Sequence, residues 1–260
     1  MRILATILIV IVAASAATAQ SQLTVKGDAA AWQEVSASWQ RLAGLKTYRM
    51  RMIPAPGTQG VDKMRFVIET VNPDRTRMIM DMEDLMTIEM VRVGQESRRR
   101  ITLKGQLAQA SPAQSTSLVN QILGGGIFGL LGAFFNPLGF ITNLISASVA
   151  DRMIQRVTNN FRPGVWTCPE VPQGASSSTS SNAEVTAARL GESTIEGART
   201  QGYDLTFTEQ RGTSKMRVYV LADQQVPRRI EGLDSSGRPA GSMDYYDFDA
   251  AFTIDPPACQ

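Results

Sequence analysis

The chain has no histidine among its 260 residues. That excludes every mechanism built on an imidazole base, including the Ser-His-Asp and Cys-His nucleophile systems. It also removes the commonest protein ligand of zinc and non-haem iron. Charge of either sign is scarce in excess: 26 basic against 24 acidic side chains leave a net +2. A nucleic-acid binder usually carries a dominant basic stripe, so no nucleic-acid partner is expected. Two carboxylate groupings, Asp81, Glu83 and Asp84, and Asp244, Asp247 and Asp249, lack the ligand spacing of a calcium loop. No catalytic residue, metal ligand or cofactor is therefore assigned, and a non-enzymatic protein is expected. What is present is an ordinary globular composition, 43% hydrophobic and 19% charged.

Residues 1–19 read as an address. Met1 and Arg2 give a positive start, an apolar run broken only by Thr6 follows, and Ala17 and Ala19 offer small residues for cleavage before Gln20. The apolar run is short for a membrane span, which favours a secretory signal peptide over an anchor. No cysteine follows the run to accept a lipid, so residues 20–260 are expected as an exported, soluble single domain. The two cysteines, Cys168 and Cys259, then form an even count in an exported chain, which favours a structural disulfide. Closing a loop of about 90 residues stabilises by roughly 4–5 kcal/mol on the chain-entropy model.

Residues 28–42 have helical periodicity, with Trp32, Val35, Trp39 and Leu42 on one face, Asp28 as N-cap and Gly44 as the stop. From Thr47 the period becomes two. Tyr48, Met50 and Met52, then Met64, Phe66 and Ile68, then Met78, Met80 and Met82, then Ile88 and Met90, each alternate with polar residues. The style returns in Tyr203, Leu205 and Phe207, in Met216, Val218 and Val220, and in residues 228–233 and 242–248. Eight to ten strands of an antiparallel sheet with one wet face are expected. Residues 47–110 form a first sheet half, 185–260 a second, and 174–182 a Ser-rich loop.

Between the halves lies a stretch without charge: residues 105–150 hold no Asp, Glu, Lys or Arg. Within it, an apolar Gly-rich insert at 111–158 is expected to form two helices, at 117–135 and 137–157, with Asn136 and Pro137 between them. The second apolar arm is too short to span a bilayer, which favours a helical cover for the sheet over a membrane-inserting hairpin.

Several motifs, in order, resemble exported carrier-like proteins of the LolA/LppX superfamily. They are ETVNPDRTRM (69–78), TIEMVRVG (87–94), VWTCP (165–169), LGESTIEGARTQGYDL (190–205), MRVYVLADQQVPRRIE (216–231) and YYDFDAAFTIDPP (245–257). The resemblance implies an α+β fold, a strongly curved, half-open antiparallel sheet around an apolar cavity, with an N-terminal helix and a helical lid. It also implies binding of lipid acyl chains and, together with the disulfide, a periplasmic location. The insert is not a feature of LolA itself.

On the alternation, Met50, Met52, Met64, Phe66, Ile68, Met78, Met80 and Met82 share one face of adjacent strands. Methionine is unbranched and polarizable, so such a face suits either a plain core or a flexible acyl chain. With Phe128, Leu131, Phe135 and Phe140 from the insert, these residues are the candidate ligand lining. The expected partner is a lipid, a lipoprotein acyl group or another hydrophobic ligand. The alternative is an envelope interaction protein whose apolar insert docks on a membrane surface or on another envelope protein. The basic runs Arg98-Arg99-Arg100 and Arg228-Arg229 fit lipid head groups, though such runs are more often solvated strand faces.

Overall fold

The computed structural model describes residues 23–54, 64–94, 96–111, 114, 117, 162–168, 183–209 and 212–259. The expected signal peptide, the body of the apolar insert and the Ser-rich loop lie outside the described residues. So do Phe128, Leu131, Phe135 and Phe140.

Eleven described strands make one sheet. In chain order they are β1 (Leu23–Gly27), β2 (Thr47–Pro54), β3 (Met64–Val71), β4 (Arg75–Met82), β5 (Met86–Val93), β6 (Glu96–Leu103), β7 (Ala183–Ile195), β8 (Ala198–Glu209), β9 (Gly212–Leu221), β10 (Pro227–Leu233) and β11 (Pro239–Tyr246). Their spatial order is β1-β7-β8-β9-β10-β11-β2-β3-β4-β5-β6. The sheet is curved and does not close on itself, so β1 and β6 are its two edges. The expected meanders are present as β2–β6 and β7–β11. They are joined where the last strand, β11, pairs antiparallel with β2.

The expectation of a purely antiparallel sheet is corrected. β1 runs parallel to β7, with Val25 opposite Val185. Local alternation reports a strand's faces but not a partner so far along the chain, and β1 carries too few apolar residues to announce itself. β6 and β7 were likewise unmarked: β6 presents Arg98, Arg99 and Arg100 where apolar alternation would be read, and β7 is rich in small and polar residues.

Helix α1 (Ala29–Gly44) forms as its stripe and cap dictate. The Asp28 carboxylate accepts a hydrogen bond from the Ala31 amide at 3.0 Å, satisfying one of the orphan donors of the first turn. Val35 and Leu42 are buried. Trp32 meets the edge of Phe207 with ring centroids 6.1 Å apart, and Trp39 meets Tyr245 at 5.7 Å. These contacts place α1 on the face of the β7–β11 half. A second short helix, α2 (Gly105–Gln109), follows β6 and buries Leu107. No helix among the described residues is long and apolar enough to cross a membrane.

The last residues, 248–259, cross the other face of the β2–β6 half. The Thr47 hydroxyl donates to the Ala250 carbonyl at 2.7 Å, and Arg75 Nη1 donates to that of Ile254 at 3.0 Å. Arg98 donates to the Pro257 carbonyl. Cys259 is then disulfide-bonded to Cys168, as expected from the even count. Next to Cys168, Thr167 exchanges both backbone hydrogen bonds with Arg99, at 2.8 and 3.0 Å. Residues 164–167 thus cover part of the β6 edge, which would otherwise offer its unpaired backbone to other chains.

Candidate functional site

Cross-strand register sorts the side chains into two contrasting faces. One row runs over nine strands: Tyr203, Val218, Ile230, Met243, Met52, Phe66, Met80, Ile88 and Ile101, each directly opposite the next. All nine are buried. The flanking rows carry Tyr245, Met50, Ile68, Met78 and Met90 on one side, and Met64, Met82, Met86 and Leu103 on the other. The eight sheet residues proposed from alternation are thus brought together on one surface. Met50, Met52, Phe66, Met80 and Met82 are buried, while Met64, Ile68 and Met78 are partly so.

Four more methionines share this face: Met86, Met90, Met216 and Met243. Their alternation with Ile88, Val218 and Tyr245 was the signal that placed them there. Every methionine among the described residues, ten in all, lies on this face and none on the other.

The opposite face is an ionic lattice. Asp244, essentially inaccessible, accepts from Arg229 Nε at 2.6 Å and from Arg51 Nη2 at 3.0 Å. Glu89 accepts from Arg77 Nη2 and Arg100 Nε, each at 2.9 Å. Burial opposes ionisation of both carboxyls, but the paired guanidinium donors outweigh it and hold both below the usual carboxylate range. Arg217 and Asp204 form a bidentate pair at 2.7 and 3.1 Å. Glu196 joins Arg51 and Arg228. The basic runs are therefore engaged. Arg100 also stacks on Trp166 at 4.8 Å, while Arg99, opposite Met90 on the methionine face, donates from Nε to the Thr167 hydroxyl at 3.3 Å.

Among the described residues, the two faces meet where β2 and β3 part. The β2–β3 ladder extends to Met52 opposite Phe66. Beyond that pair β2 stays bound to β11, with Pro54 opposite Gly241, and β3 stays bound to β4, with Met64 opposite Met82. The strands part there, and a cleft of about 500 Å³ fills the gap. Met52, Met64 and Phe66 line it from the methionine face, and Arg51, Arg65 and Tyr246 from the ionic face. Alternation did not reveal this cleft, because it arises from a mismatch between three ladders.

No group of three or more His, Cys, Asp or Glu among the described residues is placed to hold a metal. The arrangement offers an extended, adaptable apolar surface backed by a rigid, ion-paired one.

No family model and no curated protein matches the chain. Solved structures do. Lipoprotein LppX of Mycobacterium tuberculosis aligns over 88% of this chain and 100% of its own, at 10% identity and a TM-score of 0.46. LprF from Mycobacterium bovis covers 90% and 99%, at 10% identity and a TM-score of 0.42. A LolA superfamily protein from Nitrosomonas europaea covers 85% and 94%, at 8% identity and a TM-score of 0.22.

Proposed function

We propose that this chain is an exported, non-catalytic carrier of the cell envelope, holding a lipid, a lipoprotein acyl group or another hydrophobic ligand against the methionine face. The observation that carries this reading is the sorting of methionine. Ten unbranched thioether side chains share one face of the sheet, and the ion-paired carboxylates Glu89, Asp204 and Asp244 lie on the other. An ordinary core needs dense packing of well-defined rotamers, which β-branched and leucine side chains supply better. A methionine surface instead re-packs around a guest of variable shape. In this role Met50, Met52, Met64, Phe66, Ile68, Met78, Met80 and Met82 line the ligand, with Phe128, Leu131, Phe135 and Phe140 completing the enclosure.

Burial supplies the affinity. Each methylene removed from water is worth about 0.8 kcal/mol, so a dozen give roughly 10 kcal/mol before ordering and association costs. No bond is made or broken, and no cofactor is required. Residues 1–19 direct the chain to the periplasm in this reading.

The test is mass spectrometry of organic extracts from protein purified from the periplasm without detergent. A stoichiometric lipid or other apolar molecule is the expected result. A protein that is empty, and that takes up no lipid when offered it, overturns the reading.

A further inference from the structure

The parting of β2 and β3 gives the methionine face an opening toward the ionic face, and the charges around that opening are not balanced. Arg51 is held by Asp244 at 3.0 Å and by Glu196. Arg228 and Arg229 share those same two carboxylates. Arg65 differs. It is exposed, it lines the cleft, and it forms no ion pair among the described residues. Its cross-strand neighbour Asp81 is already engaged by Lys104 and by the Thr87 hydroxyl. Among the described residues the ionic face elsewhere pairs its guanidinium groups, so one without such a pair at the mouth of an apolar cleft suits an anion from outside the chain.

The row of Met216, Gly232, Gly241 and Pro54 ends at the cleft, and two of its four members have no side chain. The cleft is bordered by Met52, Met64 and Phe66, and among the described residues Arg65 is the one charge at its rim without an ion pair.

We infer that the ligand is an amphiphile with an anionic head group, whose tail lies on the methionine face and whose carboxylate or phosphate is held by Arg65 in the β2–β3 cleft, with the Tyr246 hydroxyl beside it. This rests on the carrier reading and narrows it. Neutral lipids of equal tail length then bind less tightly, because they leave Arg65 without a partner.

The experiment compares dodecanoate with dodecan-1-ol, each titrated into the full-length mature protein after delipidation, and then repeats both with Arg65→Gln and Arg65→Lys. Dodecanoate is expected to bind about tenfold more tightly than the alcohol, the range of a charge-assisted hydrogen bond. Arg65→Gln removes that difference and leaves the alcohol unchanged, while Arg65→Lys keeps most of it. A phosphate-headed probe, dodecyl phosphate, separates the two anion sources: equal dependence on Arg65 means that charge alone is read, and a stronger dependence for one names the preferred head group. Inorganic phosphate at the same concentration is expected to show no saturable binding, since it has no tail. If acid and alcohol bind equally, or if Arg65→Gln weakens both alike, the head-group inference falls and the carrier reading stands. If neither amphiphile binds, both fall.

Discussion

Met243 on β11 stands directly opposite Met52 on β2, at the seam where the two meanders of the chain become one sheet. Both side chains are buried, and each is followed in the same row by a bulky apolar neighbour, Ile230 on one side and Phe66 on the other. The seam thus belongs to the methionine face.

Truncating the seam is expected to be costly. Met243→Ala should destabilise the fold by about 2–4 kcal/mol, the usual range for a buried methionine reduced to alanine. Urea unfolding followed by circular dichroism measures it. Leu190, 49% exposed, serves as the control: Leu190→Ala should change stability by less than about 0.5 kcal/mol.

On the opposite face, Asp244→Ala should cost about 2–3 kcal/mol. The substitution leaves Arg229 facing a site where its bidentate partner stood, and the cost stays below that of orphaning a fully buried charge because Arg51 keeps access to water. The double variant Asp244→Ala with Arg229→Met should recover part of the loss. Equal instability of the single and double variants would show that the orphaned Arg229 is not the source of the cost.

Acid should unfold the protein through the same lattice. Asp244 and Glu89 both titrate below their ordinary values of 3.8 and 4.5 in the folded state. The unfolded chain therefore binds protons more readily than the folded one in this range. The stabilisation is fully present above those ordinary values and is lost as pH falls through the depressed ones. The melting temperature should be flat between about pH 7 and pH 5 and then fall steeply, with a shallower fall in Asp244→Asn.

Reduction of Cys168–Cys259 should act in two places. The bond spans a sequence separation of 91, so its loss should cost a few kcal/mol, up to about 4–5 on the chain-entropy model. It should also free the backbone pairing of Thr167 with Arg99. Hydrogen exchange at those two amides is expected to rise in the Cys168→Ser, Cys259→Ser variant, while Val218 in the middle of the sheet stays protected.

Much of this architecture was legible in the residues. The α1 stripe and its Asp28 cap follow from 3.6-residue spacing and one carboxylate. The faces of β2 to β5 and of β8 to β11 follow from period two, because an apolar side chain on every second position has only one way to be buried. The eight sheet residues of the candidate lining fell on one surface for the same reason. The strands that went unread are those whose stability comes from partners. β6 is held by Arg100 to Glu89 and by its backbone pairing with Thr167, and β7 by neighbours on both sides. Arg98-Arg99-Arg100 read more readily as a solvated strand face than as a head-group site, but its partners did not show, because the pairing of Arg100 with Glu89, 11 residues away, leaves no local pattern. The cleft between β2 and β3 was invisible for a related reason: it depends on where three separate ladders stop.

The seam between β11 and β2 also sets an order of assembly. β2 can pair with β3 as soon as the first hundred or so residues exist, but its other edge stays open until Pro239–Tyr246 arrives. β1 likewise has no partner until β7 is made. The middle of the finished sheet is thus the last part to be joined, and the chain stays open-edged for most of its synthesis. A form cut short before Pro239 would expose Met50 and Met52 on a strand with one open edge at what should have been the centre. Such a fragment is an aggregation hazard rather than a smaller version of the same protein.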